Sequence, residues 1–233
     1  RLGRKRVQQL VRDHIGVEVM HADPVEALNA AQLVQQLKAQ NIYTIAYVDC
    51  FEDRAMGGQK ELAFMTEYGF NWMGPNNNYG WGNPSYEKVR DYLVGIVGEL
   101  SQMGFDEILL YNAGFPTEGK IDTIKQDENY DAAKFAQIIG DFYDQAAQAA
   151  EQGGAKLSVV TTADTIQTGS DAKSGQTLEN LSKLSRVWLT DAGGSDLNAL
   201  EQKLAEAGMK ERPLGVFTNN LDAGQTVCQA VLK

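Results

Sequence analysis

Residues 104–119 read Gly-Phe-Asp-Glu-Ile-Leu-Leu-Tyr-Asn-Ala-Gly-Phe-Pro-Thr-Glu-Gly, and this stretch decides the fold class. Its apolar run at 108–110 follows an amphipathic helix and is bounded by glycine and proline, which predicts a strand buried on both faces. The strand passes into a loop that begins at Asn112 and is stiffened by Pro116. Loops at the carboxyl ends of parallel strands carry ligand chemistry, so we expect this loop to border any functional site.

Strand and helix patterns alternate along the rest of the chain. Six strands are predicted, at 16–21, 42–49, 108–110, 156–162, 186–190 and 214–218, with a seventh possible at 70–73 and a final helix at 224–232. Alternation without a linker predicts an α/β fold with a parallel sheet, in one domain spanning residues 1–233. This strand count fits either a doubly wound sheet or a TIM-type (β/α) barrel with missing or irregular strands.

Composition limits the partners. Thirty-one acidic against 21 basic residues give a net charge of −10, which would repel a phosphate backbone, so no nucleic acid is expected. No run of about 18 apolar residues occurs, so no membrane span is expected. The two cysteines and two histidines show no metal-ligand spacing, and neither a metal nor a cofactor is expected. The oligomeric state stays open, and the start at Arg1 suggests a piece of a longer protein.

Polar residues follow the predicted strands, namely His21, Asp23, Asp49, Asn112, Asp164, Asp191, Asn219 and Asn220. In a barrel they would ring one mouth, where carboxylates gather for chemistry on a sugar. The alternative is that they cap the following helices, which Asp and Asn favour. We interpret Asp23 as a cap and Asp49 and Asp164 as site residues. Period-two alternation places Tyr47 and Asp49 on one face of their strand.

Residues 50–82 form an irregular excursion from this pattern. Trp72, Tyr79 and Trp81 lie within it, and their rings could stack on a sugar. Aromatic residues that anchor a long loop are the commoner case, and both interpretations stay open.

The quoted stretch resembles the signature G-F-D-E-I-Q-F-D-Y-V-R-F-P-[ST]-[DE]-G of a bacterial family of candidate glycoside hydrolases. Residues 33–53 are similar to the family's helix, strand and Phe-Lys-Asp loop, which reads Phe-Glu-Asp here. Asn83-Pro84, residues 89–92 and residues 162–164 resemble later family segments. The resemblance covers about residues 30–191. It implies a barrel related to the α-amylase-like barrels, a carbohydrate substrate and an extracellular or cell-surface location.

Four positions depart from the family pattern. The strand-end Asp is Tyr111 here, the following Tyr is Asn112, the Arg before Phe-Pro is Gly114, and the Arg on the preceding strand is Tyr47. A tyrosine, with a pKa of about 10, cannot replace a carboxylate as a general acid near neutral pH. The family site is therefore not carried over intact.

Of the family's acids, Asp53 and Asp164 remain in place, and Asp49 is a local addition. The leading hypothesis is a carbohydrate-active barrel, a glycoside hydrolase that uses Asp49 and Asp164 as its carboxylate pair. The expected sugar contacts are Tyr47, Tyr111, Asn112, Asp191, Trp81 and Asn219. The alternative is a catalytically silent barrel that binds a glycan or a partner. The tyrosine exchanges favour the silent barrel, and the acidic strand ends favour the enzyme.

Overall fold

The computed structural model describes residues 30–75, 80–190, 194–209, 213–217 and 227–228. Its strands in chain order are β1 (Ile45–Asp49), β2 (Glu107–Tyr111), β3 (Lys156–Thr161), β4 (Ser170–Asp171), β5 (Gln176–Thr177), β6 (Arg186–Leu189), β7 (Leu214–Phe217) and β8 (Val227–Cys228). Its helices are α1 (Ala30–Ala39), α2 (Arg54–Gly57), α3 (Glu87–Gln102), α4 (Phe135–Gln152), α5 (Ala163–Thr168), α6 (Leu178–Leu181) and α7 (Leu197–Glu206), with short 3₁₀ turns at Ile121–Thr123 and Ala132–Lys134. Among these helices, none combines the length and apolar character needed to cross a membrane.

One sheet of six parallel strands organises the fold, in the order β1-β2-β3-β6-β7-β8. The strands follow their sequence order, without the reversal that a doubly wound sheet requires. This order, with helices between the successive strands of the sheet from β1 to β7, is that of a (β/α) barrel, and the predicted fold class is confirmed. Over the described part of the chain, β1 and β8 are not paired with each other. The short strands β4 and β5 form a separate antiparallel hairpin.

Two predicted elements are not among those that the structure confirms. The helix predicted at 224–232 is wrong where the structure describes it, because Val227–Cys228 forms a strand that pairs with β7. The interpretation as a helix came from apolar spacing, which cannot separate a short buried strand from a helix segment. The strand predicted at 16–21 lies outside the described residues.

The two faces of the sheet have different environments. Alternate residues such as Val48, Ile108 and Val187 are buried in a core with α3 and α4, which contribute Leu93 and Phe142 among others. Residues of opposite parity form the inner face, where the rings of Tyr111, Tyr47, Phe217 and Trp188 follow one another in contact. Strands covered on both faces explain the continuous apolar run at 108–110.

A buried carboxylate ties the inner face together near the start of β2. Glu107 is fully buried, and its Oε1 accepts hydrogen bonds from Ser158 Oγ at 2.6 Å and Trp188 Nε1 at 2.9 Å. Its Oε2 accepts from Arg186 at 2.9 Å and from Tyr43 Oη at 3.0 Å. We call these five residues the Glu107 cluster. Donors from β3, β6 and the segment before β1 converge on one side chain of β2, so the cluster fixes these strands relative to one another.

Candidate active site

A cavity of about 250 Å³ lies at the carboxyl ends of β2 and β3. The loop after β2 and the β4–β5 hairpin form two of its walls, and Glu52 and Trp81 of the excursion contribute another part. Three carboxylates line it, from Glu52, Glu118 and Asp171. The loop predicted from residues 104–119 to border a functional site therefore borders this cavity.

Asn112 joins two carboxylates at the edge of the cavity. Its Nδ2 donates to Asp49 Oδ1 and to Glu52 Oε2, each at 3.0 Å. Two oxygens at this distance from one nitrogen are at most about 6 Å apart. We call Asp49 and Glu52 the carboxylate pair. Asn112 has a φ of 48°, a left-handed conformation that Asn tolerates better than most residues and that is frequent at functional sites.

Backbone hydrogen bonds hold the two loops that carry these groups. Cys50 N donates to Tyr111 O at 2.8 Å, and Phe51 N donates to Asn112 O at 3.2 Å. The β1–β2 ladder thus continues past Asp49 into the loop that presents Glu52. This explains why side chains distant in sequence meet on one amide.

Burial changes the proton affinity of the groups around the pair. Burial raises the pKa of Glu52, and the hydrogen bond from Asn112 opposes that rise. Burial also raises the pKa of Tyr111, and the charges of Asp49, Glu52 and Glu118 raise it further. Burial thus favours the protonated form of the Glu52 carboxyl by raising its pKa, and the phenol of Tyr111 stays neutral.

Tyr47 and Tyr111 meet beneath the cavity, with ring centroids 5.4 Å apart. Burial raises the pKa of Tyr47 as well, with smaller contributions from Tyr111 and Asp49. These two neutral rings occupy the positions where the related family has an Arg and an Asp. Because both charges are absent, neither is left buried without a partner. A single buried unpaired charge would lower the free energy of unfolding by several kcal/mol.

Gly114 brings the loop after β2 against the β4–β5 hairpin. A Cβ added at Gly114 would lie 2.7 Å from Ser174 O, and Phe115 N donates to the same carbonyl at 2.9 Å. The arginine that the family has here finds no room against this hairpin. Gln176 supports the contact, because its Nε2 donates to Tyr143 Oη, which in turn donates to Ala113 O.

The predicted site residues have different positions. Trp81, Tyr111 and Asn112 line the cavity, and Tyr47 and Asp49 contact them from the inner face. Asp164 is exposed in the first turn of α5 and does not line the cavity. Asp191 and Asn219 lie outside the described residues. The catalytic roles of Asp49 and Asp164 and the sugar contacts stay predictions.

Two further residues act as anchors in this structure. Asp53 is 6% exposed and caps α2 by accepting from Ala55 N at 2.6 Å. Trp72 is buried in the excursion, and its Nε1 donates to Lys120 O at 3.0 Å.

The carboxylates that line the cavity were not predicted from the sequence, although Glu52 departs from the family pattern in a recognisable way. It stands where the family loop has Lys, which is a reversal of charge at a position next to the predicted strand end. Asp171 gave no comparable signal, because the hairpin that carries it consists of two-residue strands.

An acidic cavity with aromatic walls at the carboxyl ends of parallel strands is the arrangement of a carbohydrate-active barrel. The chain belongs to the family described as "Putative glycosyl hydrolase domain", whose model matches residues 14–187. This confirms the resemblance seen at residues 104–119 and the assignment to a family of candidate glycoside hydrolases. No curated protein matches the chain.

Several solved structures are similar to the chain. A hypothetical protein from Ruminiclostridium thermocellum is 27% identical, with a TM-score of 0.47, over 57% of this chain and 66% of that one. Aspergillus fumigatus Ega3, in complex with galactosamine, is 13% identical, with a TM-score of 0.48, over 82% and 68% of the two chains. The glycoside hydrolase domain of PelA from Pseudomonas aeruginosa is 14% identical, with a TM-score of 0.48, over 80% and 71%. The chain thus spans slightly less than two thirds of the first of these, and such likenesses assign no substrate to it.

Proposed function

We propose that this protein hydrolyses O-glycosidic bonds in the cavity, with Glu52 as proton donor and Asp49 as the ionised carboxylate. The observation that carries the proposal is the amide of Asn112 between the two carboxyl groups, at 3.0 Å from each. A hydrolase of this class needs one carboxyl that is protonated and one that is charged. Burial raises the pKa of Glu52, which suits it to the first role.

The separation of the pair supports a retaining reaction. Carboxyl groups about 5–5.5 Å apart act as acid and nucleophile, whereas a wider gap of about 6.5–9.5 Å leaves room for the water of an inverting enzyme. The oxygens of Asp49 and Glu52 are at most about 6 Å apart. In this scheme Glu52 protonates the leaving oxygen while Asp49 bonds to the anomeric carbon. Water, deprotonated by Glu52, then breaks that bond and restores both groups.

The test is product release from a broad glycan panel by the wild type and two single variants. Asp49→Asn is expected to remove hydrolysis. Asp164→Asn is expected to leave most of it, because Asp164 is exposed on α5 and, among the described residues, has no hydrogen bond to a residue of the cavity, whereas Asp49 accepts one from Asn112. Asp141→Asn on α4, where Asp141 is exposed, makes the same chemical change far along the chain and serves as the matched control. Loss of activity in Asp164→Asn but not in Asp49→Asn would overturn the assignment. Binding without any hydrolysis across the panel would overturn the proposed activity.

A separate prediction concerns Tyr47 and Tyr111. Their rings pack together beneath the cavity and replace the family's charges, so we expect weak or absent turnover of ordinary α- and β-glucans by the wild type. The Tyr47→Arg/Tyr111→Asp double variant is expected to gain turnover of these glucans. Initial rates of reducing-end release measure both, and the two single variants serve as controls. Brisk hydrolysis of neutral glucans by the wild type would show that the tyrosines do not restrict the site.

A further inference from the structure

The charged side chains among the described lining residues of the cavity are all acidic. Glu52, Glu118 and Asp171 contribute carboxylates, and no Lys, Arg or His is among the lining residues in the described ranges. Glu118 is exposed and Asp171 is half-buried, and neither takes part in an ion pair between described residues. A ligand in this cavity therefore meets the negative charge of Glu118 and Asp171, which the other described lining residues do not cancel.

The side-chain amides that line the cavity have already donated their N–H groups within the protein. Both N–H groups of the Asn112 amide are donated to the carboxylate pair. Both N–H groups of the Gln176 amide are donated as well, to Tyr143 Oη and Val160 O. The side-chain amides are thus used within the protein, and the carboxylates present acceptors to the cavity.

Trp81 is the exception among the lining residues. It is 5% exposed, and its indole Nε1 has no hydrogen-bond partner in the described structure. This nitrogen is itself buried, so it offers no donor to a ligand in the cavity. The cavity therefore suits a molecule that has strong cationic donors.

We propose that the sugar taken by this cavity carries a free, protonated amino group. An ammonium has three donors and no acceptor, which matches a wall of carboxylates. N-acetylation removes both the charge and two of the donors. This inference rests on the proposed function in placing a sugar in the cavity, and it adds the chemical class of that sugar.

The test is calorimetric binding of matched oligosaccharides to the Asp49→Asn variant, which keeps all three cavity carboxylates. Glucosamine and galactosamine oligomers are compared with their N-acetylated forms of equal length, at about pH 5.5, where an amino group is protonated. The amino forms are expected to bind at least about tenfold more tightly, with an advantage that shrinks as salt is added. Equal or tighter binding of the N-acetylated forms would overturn the proposal.

Removing carboxylate charges from the cavity tests whether they cause the preference for amino sugars. Glu118→Gln/Asp171→Asn is expected to abolish most of the amino-sugar advantage, since both side chains line the cavity and both substitutions keep their shape. Asp141→Asn/Glu151→Gln on the exposed face of α4 changes the net charge equally and is expected to keep that advantage. A similar loss in both double variants would overturn the proposal by showing a general charge effect.

The experiments distinguish a failure of the proposed hydrolysis from a failure of the proposed substrate class. An amino-sugar preference in a protein that hydrolyses no glycan would overturn the proposed hydrolysis and support the substrate class. Hydrolysis that requires Asp49 but proceeds equally on amino and N-acetylated sugars would support the proposed hydrolysis and overturn the proposed substrate class.

Discussion

Replacing Glu52 with glutamine is expected to lower the kcat of glycoside hydrolysis by about 10²- to 10⁴-fold, the usual contribution of a general acid or base. Glutamine keeps the size of the side chain, and its carbonyl oxygen can still accept the hydrogen bond from Asn112. It has no proton to give to a leaving oxygen. Steady-state kinetics on the glycan that the wild type hydrolyses best would measure the loss.

The pH profile gives this prediction a second readout. Burial raises the pKa of Glu52, so its acid form persists to higher pH and the rate should fall as pH rises through that raised pKa. The folded state also binds this proton more tightly than the unfolded state. The resulting stabilisation is present at low pH and is lost as pH rises through the folded pKa. In Glu52→Gln, both the alkaline fall in rate due to this group and the change in stability should disappear.

The matched control is Glu61→Gln, which makes the same change at an exposed position of the same excursion. It should retain wild-type kcat and the wild-type pH profile. A Glu52→Gln protein that is folded and hydrolyses at the normal rate would contradict the role of proton donor. A variant that loses activity only because it unfolds would show a lowered melting temperature, which separates the two cases.

Replacing Glu107 with alanine is expected to lower the free energy of unfolding by about 3–5 kcal/mol, the scale of a broken buried ion pair. Glu107 is fully buried, and the side chain of Arg186 that pairs with it at 2.9 Å is only 14% exposed. Alanine would remove the acceptor for Arg186, Ser158 and Trp188 at once. Denaturant unfolding followed by circular dichroism would measure the change.

Two comparisons test the cause of that loss. Glu99→Ala, at an exposed position of α3, should change the free energy of unfolding by less than about 0.5 kcal/mol. A Glu107→Leu/Arg186→Leu variant should be less destabilised than Glu107→Ala, because it leaves no buried charge on either side. A Glu107→Ala protein as stable as the wild type would show that the cluster contributes nothing to the fold.

The fold class was accessible from the sequence because it depends on patterns that are local. The run at 108–110 lies between an amphipathic helix and a glycine-rich loop, and the structure has β2 at that place with α3 before it. The alternation at Tyr47 and Asp49 was equally local, and both side chains reach the inner face. The helix predicted at 224–232 was wrong at Val227–Cys228, because a strand of two residues is decided by its pairing with β7.

The site was predictable only where strand ends carry it. Tyr111 ends β2 and Asn112 follows it directly, so their place at the cavity follows from the strand itself. Glu52 lies in an irregular loop, and its meeting with Asn112 depends on backbone hydrogen bonds between segments about sixty residues apart in the chain.

By itself, the sequence determined the parallel alternation of strands and helices, the loop that borders the cavity and the family to which the chain belongs. These depend on periodicity and on short motifs, which neighbouring residues set. Only the tertiary structure decided which carboxylates face one another. It placed Glu52 beside Asp49 and Asp171 in the facing hairpin, and it left Asp164 on the surface of α5. The physical reason is that a side chain's neighbours across a cavity come from loops whose paths are fixed by packing and long-range hydrogen bonds, and no local pattern encodes those paths.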